Sequence, residues 1–313
     1  MNVKIIFVIL LLIIFIWCFI GCTGVSKRNI ISPNGKIILK FICKSKYGIL
    51  LPGPEPPKIK SSKFFIDGFS NNKKVFSVDI KKDIYIHSNP FGICDLKWSR
   101  DSEFFALKIP NSILIYDKNG SEIYTYSSVE SEKISSINWG VNSSQLIAVL
   151  KKNEHEKGLN YPFKSTGIKI IQIVPLSKDS RILFSKTTKP VNFIQSGFIA
   201  PVHEISPDSK YVVYPDGNDI IIFNLEERTI DHNLEKHGDL LGIWWINKKE
   251  VLLVFNDVSN DEWEESFFLY SMPKKTLEDV TVKLTKKNSQ IYDENDGLPY
   301  YLKGVEFKGN EGK

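Results

Sequence analysis

Carboxylates form the two densest groups of reactive side chains. One is Asp257, Asp261, Glu262, Glu264 and Glu265; the other is Asp293, Glu294, Asn295 and Asp296. Crowded carboxylates suit a hard cation such as calcium, which takes about six to eight oxygen ligands. In the second group Gly297 stands where a ligand belongs, and Gly304 occupies the place of the bidentate glutamate that closes such a loop. Both groups therefore read as solvated loops. The five histidines, His87, His155, His203, His232 and His237, share no metal-ligand spacing and read as scattered surface or loop residues. There is no G-x-S-x-G elbow, no phosphate-binding loop and no C-x-x-C pair. Cys43 and Cys94 fall in strand-like stretches, where two buried thiols are expected, although an exported protein could oxidise them. No catalytic residue, cofactor or metal ligand is expected.

The elements that would carry these residues repeat. His203–Leu225 reads strand, turn, strand, turn, strand, with Ser206-Pro207-Asp208-Ser209-Lys210 as the first reversal. Proline pre-sets its own φ there, and Asp and Ser can bond back to the backbone. The pattern recurs after Ile31, Trp98, Trp139 and Trp245. Two of the four intervals match a bare four-stranded unit of about 40–45 residues, and the longer ones carry roughly 25 more. The three tryptophans should fill the space between sheets. With no competing helical periodicity, the expected fold is all-β: five four-stranded blades, or six if the additions and the C-terminal stretch build a degenerate one. Tyr300–Phe307 is the candidate strand for closing the ring, and Val280–Leu284 the expected last strand of the fifth blade.

The apolar anchor, S-P-D-S/G-K turn, short strand and I-x-I-Y/F-D/N strand resemble the WD-like blades of TolB-type β-propellers. That resemblance implies a ring that binds envelope proteins, with no catalysis by the ring itself.

Ahead of the repeats, Ile5–Ile20 is apolar and uncharged. It is longer than a usual signal-peptide core and shorter than a membrane span of about 20 residues. Phe19-Ile20-Gly21-Cys22 resembles a bacterial lipobox, which implies cleavage before Cys22 and acylation of its thiol; Phe19 departs from the usual leucine. An uncleaved N-terminal helix is the alternative. The expected organisation is a signal or anchor over 1–21, a tether over 22–30 and a propeller over 31–313.

With 41 basic and 36 acidic residues intermixed along the chain, no basic stripe marks a nucleic-acid binder. The function expected is therefore an exported, membrane-tethered binding module or scaffold on the extracytoplasmic side, in the periplasm or at the cell surface, holding an envelope protein. The alternatives are an envelope enzyme of lyase or glycan-cleaving type with carboxylates at the channel, and an uncleaved single-pass protein of structural role. Long links between second and third strands are expected at Ser45–Lys63, Lys152–Gly167 and Asn256–Ser266, on the rim opposite the S-P-D-S turns. The aromatics there, Tyr161, Phe163 and Trp263, are the candidate partner contacts.

Overall fold

A computed structural model describes residues 23–47, 59–80, 94–109, 111–154, 164–191, 203–235, 239–257 and 264–279. Among them are twenty strands and no helix. They form five four-stranded antiparallel sheets, each a simple meander in chain order. Sheet 1 holds β1 (Thr23–Ile31), β2 (Ile38–Tyr47), β3 (Ile59–Ser70) and β4 (Lys73–Ile80). Sheet 2 holds β5 (Asp95–Trp98), β6 (Phe104–Ile109), β7 (Ser112–Asp117) and β8 (Glu122–Ser127). Sheet 3 holds β9 (Glu132–Trp139), β10 (Leu146–Glu154), β11 (Lys164–Val174) and β12 (Asp179–Val191). Sheet 4 holds β13 (Glu204–Ile205), β14 (Tyr211–Asp216), β15 (Asp219–Asn224) and β16 (Thr229–Glu235). Sheet 5 holds β17 (Asp239–Asn247), β18 (Glu250–Asp257), β19 (Glu264–Ser271) and β20 (Thr276–Asp279). The chain divides into two compact units, the first made of 1–93 with 118–121 and the second of the remainder.

In the first unit one face of sheet 1 is apolar. Leu39, Phe41 and Cys43 on β2 alternate inward beside Phe64 and Ile66 on β3, and the Phe41 and Phe64 rings stack at 5.6 Å. On the opposite face Lys40 lies over the Phe69 ring and Lys44 over Phe65. β1 pairs with β2 from Thr23 onward, so residues 23–30, expected as a tether, are strand. Its alternation of exposed Val25, Lys27 and Asn29 with half-buried Ser26, Arg28 and Ile30 is the period of two that a half-covered strand requires.

In the second unit the middle strands read as continuous apolar runs because neighbouring sheets cover both faces. On β10, Leu146, Ala148 and Leu150 face the core shared with Ala106, Ile113 and Ile115 of sheet 2. Ile147 and Val149, between them, face Val212, Tyr214, Ile221 and Phe223 of sheet 4. Sheet 4 repeats the device, turning Val213, Ile220 and Ile222 toward Val251, Leu253 and Phe255 of sheet 5. The fourth strands β8, β16 and β20 are mostly half-buried or exposed. Among the described residues the fourth strand of sheet 5 is β20; the expected strands Val280–Leu284 and Tyr300–Phe307 lie outside them. Trp139 is buried at 1% exposure, Trp98 is buried and Trp245 half-buried, as core residues between sheets should be. Ile31, at the equivalent place in sheet 1, is instead 62% exposed.

The repeated turns share one hydrogen-bond pattern. The hydroxyls of Ser32, Ser99 and Ser206 donate to the side-chain oxygens of Asn34, Asp101 and Asp208 at 2.9, 2.6 and 2.7 Å. The same hydroxyls accept from the amides of Ile37, Phe104 and Tyr211 at 2.9, 2.9 and 3.0 Å. The fourth turn residue takes a left-handed conformation: Gly35 at φ 71°, Ser102 at 64°, Ser143 at 59° and Ser209 at 57°. Glycine reaches that region without strain, and a short polar residue tolerates it. Ser206 is fully buried, so Ser206→Ala leaves the Tyr211 amide without its side-chain acceptor. We expect a loss of about 1–2 kcal/mol in urea unfolding; an unchanged midpoint would show that the backbone bond from Ser206 N to Tyr211 O suffices alone.

Candidate functional site

The first strands β5, β9 and β13 of the second unit run beside one another, and polar groups gather there. The gathering point is a β-bulge. Opposite β10, Val149 pairs with Ser136 and Leu150 with Ile134, so Ser135 has no partner across the ladder. An extra residue in one strand re-aims its groups. The Ser135 carbonyl accepts from Lys108 Nζ at 2.8 Å, and its Oγ lies 3.2 Å from His203 Nδ1. Three consecutive sheets thus meet at one residue.

His203 is 2% exposed. Burial, and then the charge of Lys151, hold its imidazole down to about 3, so it is neutral at ordinary pH. The adjacent Glu204 is pushed the other way. Burial raises its carboxyl to about 7; Lys97 and Lys108 oppose the shift and Asp95 adds to it. Lys151 is lowered by burial and by the like charges of Lys108 and Lys133. Asp95 and Lys97 form an ion pair at 3.5 Å, and Lys133 donates to Asn111 Oδ1 at 2.8 Å. Glu132 pairs with Lys169.

The site therefore offers one carboxyl that exchanges a proton near neutrality, one neutral imidazole and several ammonium groups. A Glu tuned to this range suits general acid–base work. Asp95, a second carboxylate whose charge reaches Glu204, is paired with Lys97. Among the described residues no group of His, Cys, Asp and Glu could hold a metal ion.

The turns of sheets 2, 3 and 4 brace this region. Trp139 Nε1 donates to Lys97 O at 3.0 Å, Asn138 Nδ2 to Ser206 O at 2.8 Å and Ser209 Oγ to Trp139 O at 2.7 Å. The Asp101 amide donates to Ser143 Oγ at 3.0 Å, and Arg100 Nη2 to Pro207 O at 2.6 Å.

His203 corrects the expectation of a surface or loop histidine. Counting back two residues from the anchors Trp98, Trp139 and Trp245 gives Leu96, Ile137 and Ile243, all buried, whereas the same count from Ile31 gives exposed Asn29; the repeat alignment of sheets 2, 3 and 5 held the clue. His232 is half-buried, its Nδ1 at 2.6 Å from Asp231 O. His87, His155 and His237 lie outside the described residues, as do the four residues assigned a role from the sequence: Cys22, Tyr161, Phe163 and Trp263. Of the acidic groups, Asp257, Glu264 and Glu265 end the ladder between β18 and β19; Asp261, Glu262 and the whole second group lie outside. Cys43 and Cys94 are buried thiols.

No protein-family model matches the chain, and no curated protein matches it. Solved structures do. Sqt1 from Chaetomium thermophilum is 12% identical with a TM-score of 0.42, over 76% of this chain and 66% of that one. Hydrazine synthase of Kuenenia stuttgartiensis is 12% identical with a TM-score of 0.49, over 80% and 64%. The C-terminal WD40 domain of Sif2 is 14% identical with a TM-score of 0.40, over 83% and 74%. The chain spans just under two thirds of the length of the first two. Five successive four-stranded antiparallel meanders, with no helix among the described residues, make this an all-β protein of the WD-like β-propeller type.

Proposed function

We propose that this protein is an exported propeller of TolB-like kind, tethered to a membrane at Cys22, that serves as a binding module for an envelope protein. The observation that carries this reading is the prolonged pairing of the second and third strands. The ladder of sheet 1 runs to Tyr47↔Ile59, that of sheet 3 to Glu154↔Lys164 and that of sheet 5 to Asp257↔Glu264. In sheets 2 and 4 the same link is short, between Ile109 and Ser112 and between Asp216 and Asp219. The stretches expected as long loops are therefore partly projecting hairpins, a framework for presenting contacts. Tyr161, Phe163 and Trp263 belong to the segments these hairpins carry. The groups around Ser135 supply a single titrating carboxyl and fit a polar brace better than a reaction centre.

The test uses crosslinking and affinity purification from native envelopes. Replacing Tyr161, Phe163 and Trp263 by Ala should cut recovery of the co-purifying partner at least about tenfold with an unchanged melting temperature, the behaviour of contact residues worth about 1.4 kcal/mol or more together. Lys248→Ala and Lys274→Ala, beside a shallow groove at the turn end of sheet 5, should leave recovery intact. The reverse pattern moves the working face to the turns. Separately, Cys22→Ala should abolish fatty-acid incorporation and release the protein from membranes, since stable anchoring takes more than one acyl chain. Wild-type protein without acyl mass at residue 22 would refute the lipid tether.

A further inference from the structure

Several strand lysines are matched by carboxylates. Lys74 meets Asp67 and Lys186 meets Asp216 at 2.7 Å, Lys97 meets Asp95 at 3.5 Å, and Lys169 meets Glu132. Lys108, on β6, is different. It is only 8% exposed, yet its ammonium donates to a neutral group, the Ser135 carbonyl. Its ladder partner is Asp95, whose carboxylate is turned to Lys97 instead. No carboxylate among the described residues stands within ion-pairing reach of Lys108. A buried charge is costly to keep without an opposite one.

Two more ammonium groups share its surroundings. Lys133 on β9 and Lys151 on β10, both half-buried, stand directly opposite each other in the ladder. Like charges so placed repel. Lys133 also donates to a neutral oxygen, Asn111 Oδ1 at 2.8 Å. Lys151 feels the charges of both Lys108 and Lys133, so the three make one positive group across sheets 2 and 3. The bulge assembles it, because the extra residue aims its carbonyl at Lys108. Buried His203, beside Ser135 Oγ, feels Lys151 in turn. Glu204 feels Lys108, but burial raises its carboxyl to about 7, so near neutrality it supplies only part of one negative charge.

We propose that Lys108, Lys133 and Lys151 bind an oxyanion, the phosphate or carboxylate group of a small ligand. This goes beyond the partner-binding reading above and does not depend on the tether. The anion accepts from the Lys108 ammonium, which has donors left after the Ser135 carbonyl takes one. It also relieves the repulsion between Lys133 and Lys151. Hydrogen bonds between ionised partners are about twice as strong as neutral ones, and burial at Lys108 protects them from screening.

The full-length protein in detergent is titrated calorimetrically with inorganic phosphate and, separately, with succinate, at an ionic strength held constant by chloride. Saturable binding of at least one is expected, and the one that binds tells phosphate from carboxylate. Lys108→Met keeps most of the apolar stem and removes the charge; it should weaken that binding about tenfold or more. Lys133→Met should weaken it about threefold or more. Lys248→Met, on an exposed turn of sheet 5, should bind as wild type does. Saturating anion should also slow acetylation of the Lys133 amine and leave that of Lys248 unchanged. If neither anion binds saturably, or if binding survives intact in both the Lys108 and Lys133 variants, the proposal is overturned. Should Lys108→Met fail to fold, the Lys133→Met titration and the amine protection decide the matter alone.

Discussion

Trp139→Ala should remove about 3–5 kcal/mol of unfolding free energy, the range for emptying a large aromatic site. The indole is 1% exposed and lies between sheets 2 and 3. One side stacks on Phe104 at 6.0 Å, and its core neighbours include Ala106, Ile113 and Ile115. Its N–H is spent on the Lys97 carbonyl at 3.0 Å. The alanine variant therefore loses dispersion contacts, opens a cavity and leaves a carbonyl short of a donor. A domain's whole stability is about 5–15 kcal/mol, so this change alone should consume a large part of it. Trp98→Ala should cost toward the lower end, because the buried Trp98 N–H has no acceptor to lose among the described residues. Urea midpoints and melting temperatures check both. A Trp139→Ala protein that melts within a degree or two of wild type would mean that the space between the sheets closes without the indole.

The places where sequence reading succeeded and failed have physical causes. The Ser206 turn was legible because its hydrogen bonds run between residues two to five apart, and local chemistry leaves a local pattern. The runs on β10, β14 and β18 were legible because burial on both faces removes polar residues. β1 was not. Thr23–Ile31 carries Lys27 and Arg28 among few apolar residues, and its pairing with β2 is settled by tertiary contact. The hairpin extensions were hidden likewise, since Lys44-Ser45-Lys46 and Lys60-Ser61-Ser62 have the composition of loop. The polar group at Ser135 was out of reach for another reason. A bulge leaves no sequence signature, and it joins Lys108, Ser135 and His203 from three separate repeats.

The pH dependence of stability should be nearly level in wild type, as far as His203 and Glu204 govern it, because the two groups cancel. The imidazole falls from 6.5 in the unfolded chain to about 3 in the fold. Between those values the unfolded state binds the extra proton, so this contribution grows as pH rises. The Glu204 carboxyl climbs from 4.5 to about 7. Between those values the folded state holds the extra proton, so its contribution shrinks as pH rises. From pH 4.5 to 6.5 the two slopes oppose, each with a limit of about 1.4 kcal/mol per pH unit. Glu204→Gln removes the falling term and should unmask stability that increases with pH across that window. His203→Gln should do the opposite, unmasking a decline that continues toward pH 7. The charges facing the pair are Asp95 and Lys97 on β5, Lys108 on β6 and Lys151 on β10. Urea unfolding at half-unit steps of pH measures the slopes directly, independent of any constant cost of either substitution. If Glu204→Gln proves as level as wild type, the cancellation is absent and the carboxyl keeps its charge in the fold.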